Sequence, residues 1–204
     1  MSLFISFEGI DGAGKSTQIE RTEAWLKNLN YDVLVRREPG GTELGEAIRD
    51  ILLDPKWKAM TPRTEFLLYS ASRAQLVEEI VKPHLKRSRA VMILDRYFDS
   101  STAYQGGGRE LGASAIQAIH PFVTDHLTPQ LTIFLDVDWE TSRARRANSS
   151  PDRLEQNERD FFERVRATYH ELCNRESARL KRIDASGDAE SVFQNVKRAI
   201  EQVL

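Results

Sequence analysis

The sequence predicts a doubly wound α/β domain, a five-stranded parallel sheet with helices packed on both faces. Three observations carry that prediction. Short β-rich apolar runs alternate along the whole chain with longer stretches of helical periodicity. Two of the runs, AVMILD (90–95) and LTIFLD (131–136), are almost continuously apolar, as strands covered on both faces are. The 204 residues contain no repeat, low-complexity tract or linker, which suits one compact unit with a sizeable core. Residues 1–204 are therefore read as a single domain with right-handed crossovers.

In order, LFISFE (3–8) is the first strand, and a helical stretch near 15–29 follows it. DVLVR (32–36) is the second strand, succeeded by helices near 42–53 and 62–87. Thr61 and Pro62 mark the start of the latter, an N-cap followed by proline at the first helical position. AVMILD is the third strand, with helical patterning returning near 112–125. LTIFLD is the fourth, followed by helices near 138–147 and 157–177; the weaker run LKRID (180–184) is the fifth, closed by a helix near 188–203. Phe161, Val165, Tyr169 and Leu172 recur at helical spacing, as do Val192, Val196, Ala199 and Val203, so both stripes read as core packing. One segment breaks the alternation. SRARRANSSPDRLEQ (142–156) is polar and arginine-rich, with a turn signal from Asn148 to Pro151. It reads either as a solvated loop or as a mobile cover, a LID, that brings arginines over an anionic site.

Composition narrows the function. Hydrophobic residues at 40% and charged residues at 29% exclude a disordered chain. A net charge of -2 argues against bulk capture of nucleic acid but leaves room for a local arginine cluster that binds a small polyanion. No apolar run reaches membrane-spanning length and no basic-then-apolar leader precedes the first strand. The single cysteine, Cys173, fits a reducing compartment, so a cytoplasmic location is expected. Cys173 follows Leu172 on a helical stripe and reads as a core residue rather than a reactive thiol. The four histidines show no ligand spacing and read as ordinary surface or packed residues.

The stretch Gly9, Ile10, Asp11, Gly12, Ala13, Gly14, Lys15, Ser16, Thr17 contains G-x-x-x-x-G-K-[ST] in full, between a strand and a helical pattern. Such a P-loop curls backbone N–H groups around a nucleotide phosphate, with the helix dipole behind it. Lys15 is expected to reach the β- and γ-phosphates of ATP or GTP, and the Ser16 hydroxyl to ligand Mg²⁺. Asp95 closes AVMILD and is the candidate Walker-B carboxylate, meeting Mg²⁺ directly or through water. Asp136 closes LTIFLD in the same way, but with Asp138 it precedes a helix and reads as a cap. These residues fix nucleotide binding and leave the reaction open. An acceptor that is itself a phosphate requires cations and no general base, because its oxygen is already an anionic nucleophile. Arg37 in RREPGGT, Arg73 in YSASRAQ and Arg96 in DRYFDSSTAYQGGG are the candidates, since arginine engages phosphate bidentately.

FEGIDGAGKST, REPGGT, LLYSASRAQ, DRYFDSSTAYQGG and RARRANSSPDRLEQ together resemble the thymidylate kinase family of P-loop nucleoside monophosphate kinases, in order and over nearly the whole chain. The first is shared by many NTPases; REPGGT together with DRY…S…AYQG is far more specific. The resemblance implies transfer of the γ-phosphoryl group of ATP, with Mg²⁺, to dTMP, giving dTDP and ADP for dTTP biosynthesis. It implies that Arg37, Arg73 and Arg96 hold the dTMP phosphate and that Tyr69 stacks on thymine where the family usually has phenylalanine. It also implies that Ser100 and Ser101 contact the base, that Tyr104 crowds out a ribose 2′-OH, and that Gln105 supports the base or the loop. Asp11 matches the acidic position that contacts the sugar 3′-OH or the metal–water network. Some members carry, at the position of Gly12, an arginine aimed at the transferred phosphate. Glycine there implies the bacterial-type subtype, whose arginine comes from the LID, about 142–156. Among Arg143, Arg145, Arg146 and Arg153, the first choice is Arg146 and the second Arg153. The resemblance also implies a homodimer. The rival readings are a kinase for another nucleoside or deoxynucleoside monophosphate, and a P-loop regulatory ATPase, which leaves REPGGT and DRYFDSSTAYQGG unexplained.

Overall fold

A computed structural model describes residues 2–147, 153–154 and 157–204. The strands are β1 (Leu3–Glu8), β2 (Asp32–Arg37), β3 (Ala90–Asp95), β4 (Leu131–Asp136) and β5 (Leu180–Asp184). All pair in parallel, in the order β2-β3-β1-β4-β5. The chain thus begins at the centre of the sheet, steps out to one side, returns, and then fills the other side. Ligands in such sheets bind beyond the carboxyl ends of the strands, where the winding reverses. Register brings those ends together: Asp95 lies opposite both Phe7 and Arg37.

Side chains of β1 alternate between two fully covered faces, as the period of a strand requires. Leu3, Ile5 and Phe7 enter a main core with Phe134 of β4 and with Val165, Tyr169 and Val196 from the last third of the chain. Phe4 faces the other way, against Leu76, Val81, Met92 and Tyr97. The helices are α1 (Lys15–Asn28), α2 (Glu43–Leu53), α3 (Pro62–Leu76), α4 (Lys82–Leu85), α5 (Phe98–Ser101), α6 (Ala113–Gln117), α7 (His120–Thr124), α8 (Trp139–Arg145), α9 (Arg159–Arg175) and α10 (Ala189–Glu201). Thr61 caps α3 as expected, its side chain accepting from the Thr64 amide at 3.3 Å, and Asp138 caps α8 through the Thr141 amide at 2.8 Å.

Two local expectations change. The helix expected over 62–87 runs through a π turn at Val77–Val81 between α3 and α4. The pattern at 112–125 is two short helices, with Pro121 near the start of the second. The stretch TAYQGGG, which carried no assigned element, is a π-helical continuation of α5 at Thr102–Gly108. Its glycines serve close packing against α9: a Cβ on Gly107 would lie 2.0 Å from Thr168 Oγ1, and one on Gly108 2.5 Å from Phe161 Cε2. The turn signal at Asn148–Pro151 lies outside the described residues. Cys173 packs against the main core, and burial pushes its thiol up to about 12. His84 and His120 are buried, His84 against backbone carbonyls and His120 against Thr102, while the half-buried His170 contacts Asp136. No helix among the described residues is long and apolar enough to cross a membrane.

Candidate active site

The loop from Gly9 to Gly14 joins β1 to α1, and Lys15 is the first helical residue. Lys15 is only 6% exposed; its ammonium lies 3.2 Å from the Gly9 carbonyl oxygen and 3.6 Å from Asp11 Oδ1. Burial, and then the charge of Arg96, lower its pKa. Gly12 adopts φ +81°, and a Cβ there would meet the Ser142 carbonyl at 2.6 Å and Arg146 Cγ at 3.3 Å. A side chain at position 12 and α8 in its present place are therefore mutually exclusive.

Arg96 follows β3 in the left-handed region at φ +73°, a conformation that costs a non-glycine residue about 1–2 kcal/mol. That turn lets its amide bond the Phe7 carbonyl at 2.9 Å and sends its guanidinium across the end of β1. There it donates to the Gly9 carbonyl at 2.9 Å, to Ser100 Oγ at 3.3 Å and to Asp11 Oδ1 at 2.8 Å, and lies over the Tyr104 ring. Burial pushes the Asp11 carboxyl up, but Arg96 and Lys15 outweigh it and hold the group well below the usual carboxylate range. Behind Arg96, Glu8 accepts from the Tyr97 amide at 2.8 Å, from Ser100 Oγ at 2.5 Å and from the Tyr169 hydroxyl at 2.8 Å. Burial and the neighbouring Asp99 raise Glu8 to about 7 despite those bonds.

Two clefts flank this centre. The outer one, of about 710 Å³, is lined by Ser16, Arg37, Glu46 and Asp95 among others. Asp95 Oδ1 is buried there without a hydrogen-bond partner. The narrower one, of about 80 Å³, gathers Tyr69, Arg96, Ser100, Ser101, Tyr104 and Gln105, six of the residues expected around an acceptor. Asp11 joins them. Two expected residues do not. Arg37 turns into the outer cleft and pairs with Glu46 at 2.7 Å. Arg73, 1% exposed, is spent on the wall: it pairs with Glu38 at 2.6 Å and donates to Ser101 Oγ at 3.0 Å and the Tyr97 carbonyl at 3.1 Å.

Sequence reasoning missed Arg49 and Glu38, which line the narrow pocket. Arg49 lies on α2, one turn before Leu53, and donates to the Pro39 carbonyl at 3.0 Å. An arginine within the buried stripe of Gly45, Ile48 and Leu52 was the available signal. Burial raises Glu38 to about 7 against the opposing charge of Arg73, and its Oε1 is buried without a partner.

The LID arginines diverge. Arg143 is exposed. Arg145 donates to the carbonyls of Gly12 at 3.3 Å and Ala185 at 3.0 Å, closing a third pocket with Gly14, Thr17 and Gly187. Arg146 stands beside Gly12, its guanidinium over Trp139 and Phe162, and its charge is among those acting on Asp11. Arg153 lies away from the loop, on the last carbonyls of α2 and on Glu65.

A complete P-loop at the carboxyl ends of a parallel sheet, faced by a second pocket that shares an arginine with it, defines a P-loop kinase. The family model described as thymidylate kinase matches residues 7–196. Thymidylate kinases of Thermosipho africanus and Lactobacillus delbrueckii are 44% and 49% identical to the chain, over 99% and 93% of it and 99% and 91% of their own lengths. A solved thymidylate kinase from Ehrlichia chaffeensis superposes with a TM-score of 0.79 at 30% identity, covering 98% of each chain. The chain belongs to the thymidylate kinase family.

Proposed function

We propose that the protein transfers the γ-phosphoryl group of ATP to dTMP, giving dTDP and ADP. The observation that carries this reading is Arg96, whose guanidinium lines the narrow pocket while bonding Gly9 and Asp11 of the phosphate loop. One cation thereby spans donor and acceptor.

The P-loop residues Gly9–Thr17 cradle the ATP phosphates, with Lys15 neutralising charge at the β- and γ-groups. The third pocket, closed by Arg145, takes the donor's base. Ser16 and Asp95 line one cleft, and the unpartnered Asp95 oxygen suits a hard cation. Mg²⁺ bound by these two would neutralise phosphate charge. In the acceptor pocket Arg49 and Arg96 clamp the dTMP phosphate, taking the role expected of Arg37 and Arg73. Arg73 instead fixes Ser101 and Glu38, and Tyr69 presents its ring to the base. Tyr104 fills the space beside C2′, and Asp11, held ionised, faces the sugar. No general base is needed, since the acceptor oxygen is anionic; catalysis is positioning plus charge neutralisation. Arg146, beside Gly12, is the LID arginine nearest the transferred group.

The enzyme works in the cytoplasm as a homodimer. Support for the dimer comes from α3 and α7, which pack together and expose Leu67 (61%) and Phe122 (91%). The test is ADP release with ATP and dTMP, dUMP, dCMP, dGMP or UMP. Turnover should be highest with dTMP and near background with ATP alone. Preference for another monophosphate, or acceptor-independent ATPase, would overturn the reading.

A further inference from the structure

Glu65 is a carboxylate with 1% exposure on the first turns of α3. Three hydrogen bonds and one further ion-pair contact converge on it. Its Oε1 accepts from Gln105 Nε2 at 2.9 Å and from Arg109 Nε at 3.2 Å; its Oε2 accepts from Arg109 Nη2 at 3.1 Å and faces Arg153 Nη2 at 2.7 Å. These partners belong to different parts of the enzyme. Gln105 lines the acceptor pocket, and Arg153 belongs to the LID.

Arg153 is fastened a second time. Its Nε donates to the Leu52 carbonyl at 2.7 Å and its amide to the Leu53 carbonyl at 3.4 Å, at the C-terminal end of α2 where a cation is favoured. Arg109 holds the other side of the segment through Asn157 Oδ1 at 2.8 Å, and Asn157 Nδ2 donates to the Leu154 carbonyl at 2.6 Å. Between these fastenings Leu154 packs against Tyr69, Ile48 and Leu52 and forms part of the acceptor pocket wall.

We infer that Glu65 is a positioning residue that couples acceptor binding to seating of the Arg153–Leu154 segment, with Arg153 a latch rather than a contact of the transferred phosphoryl group. An acceptor that orders Gln105 stabilises the carboxylate that Arg153 needs, and a seated Leu154 completes the wall beside Tyr69. The coupling is reciprocal and acts on dTMP affinity, not on the ATP side, where Arg145 and Arg146 stand. The inference rests on the assignment of the narrow pocket to dTMP.

The test is steady-state kinetics of Glu65→Gln, Arg153→Ala and the double variant, varying dTMP and ATP separately. Each single variant should raise KM for dTMP about tenfold, with KM for ATP within about twofold and kcat within about threefold. The double variant should match the worse single one, because both break one link. Arg153→Ala leaves Glu65 paired with Arg109, so it keeps the test alive if Glu65→Gln does not fold. An unchanged KM for dTMP overturns the inference, as do equal rises in both KM values or additive effects in the double variant. A fall of kcat by orders of magnitude in Arg153→Ala overturns it in favour of direct contact with the γ-phosphoryl. A wild-type protein inactive on dTMP would instead overturn the function on which it rests.

Discussion

Replacing Arg96 should separate function from stability. In the free protein its guanidinium and the Lys15 ammonium share one carboxylate, Asp11, at 2.8 and 3.6 Å. The second of the influences lowering the Lys15 pKa is Arg96, so the two cations repel one another before any phosphate arrives. Loss of the Asp11 bond, about 1.5–3 kcal/mol for a charged hydrogen bond, and of the bonds to the Gly9 carbonyl and Ser100 is largely offset by relief of that repulsion. Arg96→Ala should therefore change folding stability by only about 1 kcal/mol. Bound phosphate reverses the balance: two charge-assisted contacts at about 1.5 kcal/mol or more each amount to some 3 kcal/mol, roughly a hundredfold in kcat/KM for dTMP. Backbone strain supplies an internal control. At φ +73° alanine bears the same left-handed cost as arginine and glycine does not, so Arg96→Gly should be at least as stable as Arg96→Ala while equally impaired. Urea unfolding and dTMP kinetics on both variants decide. If stability falls by more than about 3 kcal/mol, or if KM and kcat for dTMP both stay unchanged, the reasoning is refuted.

Lys15→Ala should fold and yet turn over at a small fraction of the wild-type rate, read as ADP release; a wild-type kcat would remove this loop from the chemistry. Arg146→Ala should lower kcat by about 10³-fold or more, as loss of such arginines does, with dTMP affinity from equilibrium titration nearly unchanged. Tyr104→Ala should narrow the preference for dTMP over its ribo analogue while overall activity falls, measured as a ratio of kcat/KM values. Stability should also depend on Glu8 and Glu38, both raised to about 7 from 4.5. Each binds a proton more tightly in the folded state, so its contribution is complete below 4.5 and is lost as pH rises through about 7. The slope is at most about 1.4 kcal/mol per pH unit per group. Urea midpoints at pH 5, 6 and 7 should fall with rising pH, and Glu8→Gln should flatten part of that fall.

What the sequence disclosed depended on the range over which each signal acts. The P-loop and the strands were legible because spacing and period are local properties. Strand ends were legible too: Asp95 closes β3, and Arg96 and Tyr104 reach the site from the segment that directly follows it. Arg73, within the helix expected over 62–87, and Arg37, at the end of the second strand, carry the same candidate role in sequence. Their fates are set by Glu38, 35 residues from Arg73 in sequence, and by Glu46, which draws Arg37 outward. The role of Gly107 and Gly108 was hidden for a related reason: they make room for Thr168 and Phe161 of a helix much later in the chain.

The LID arginines show the same limit most clearly. Four of them fall within residues 143–153, and their density alone says that an anion is near, not which one meets it. Arg145 and Arg146 are consecutive at a helix end and so diverge by about 100°. One reaches the carbonyls of Gly12 and Ala185, while the other lies over Trp139 and Phe162. Gly12 decides which side of the loop α8 can occupy, since any side chain there would collide with the Ser142 carbonyl. Gly12, which the resemblance marked only as a missing arginine, is thus also a steric condition for bringing Arg146 to the loop. Arg153 is instead held away from the loop by a carboxylate on α3, a partnership that appears only once the chain has folded.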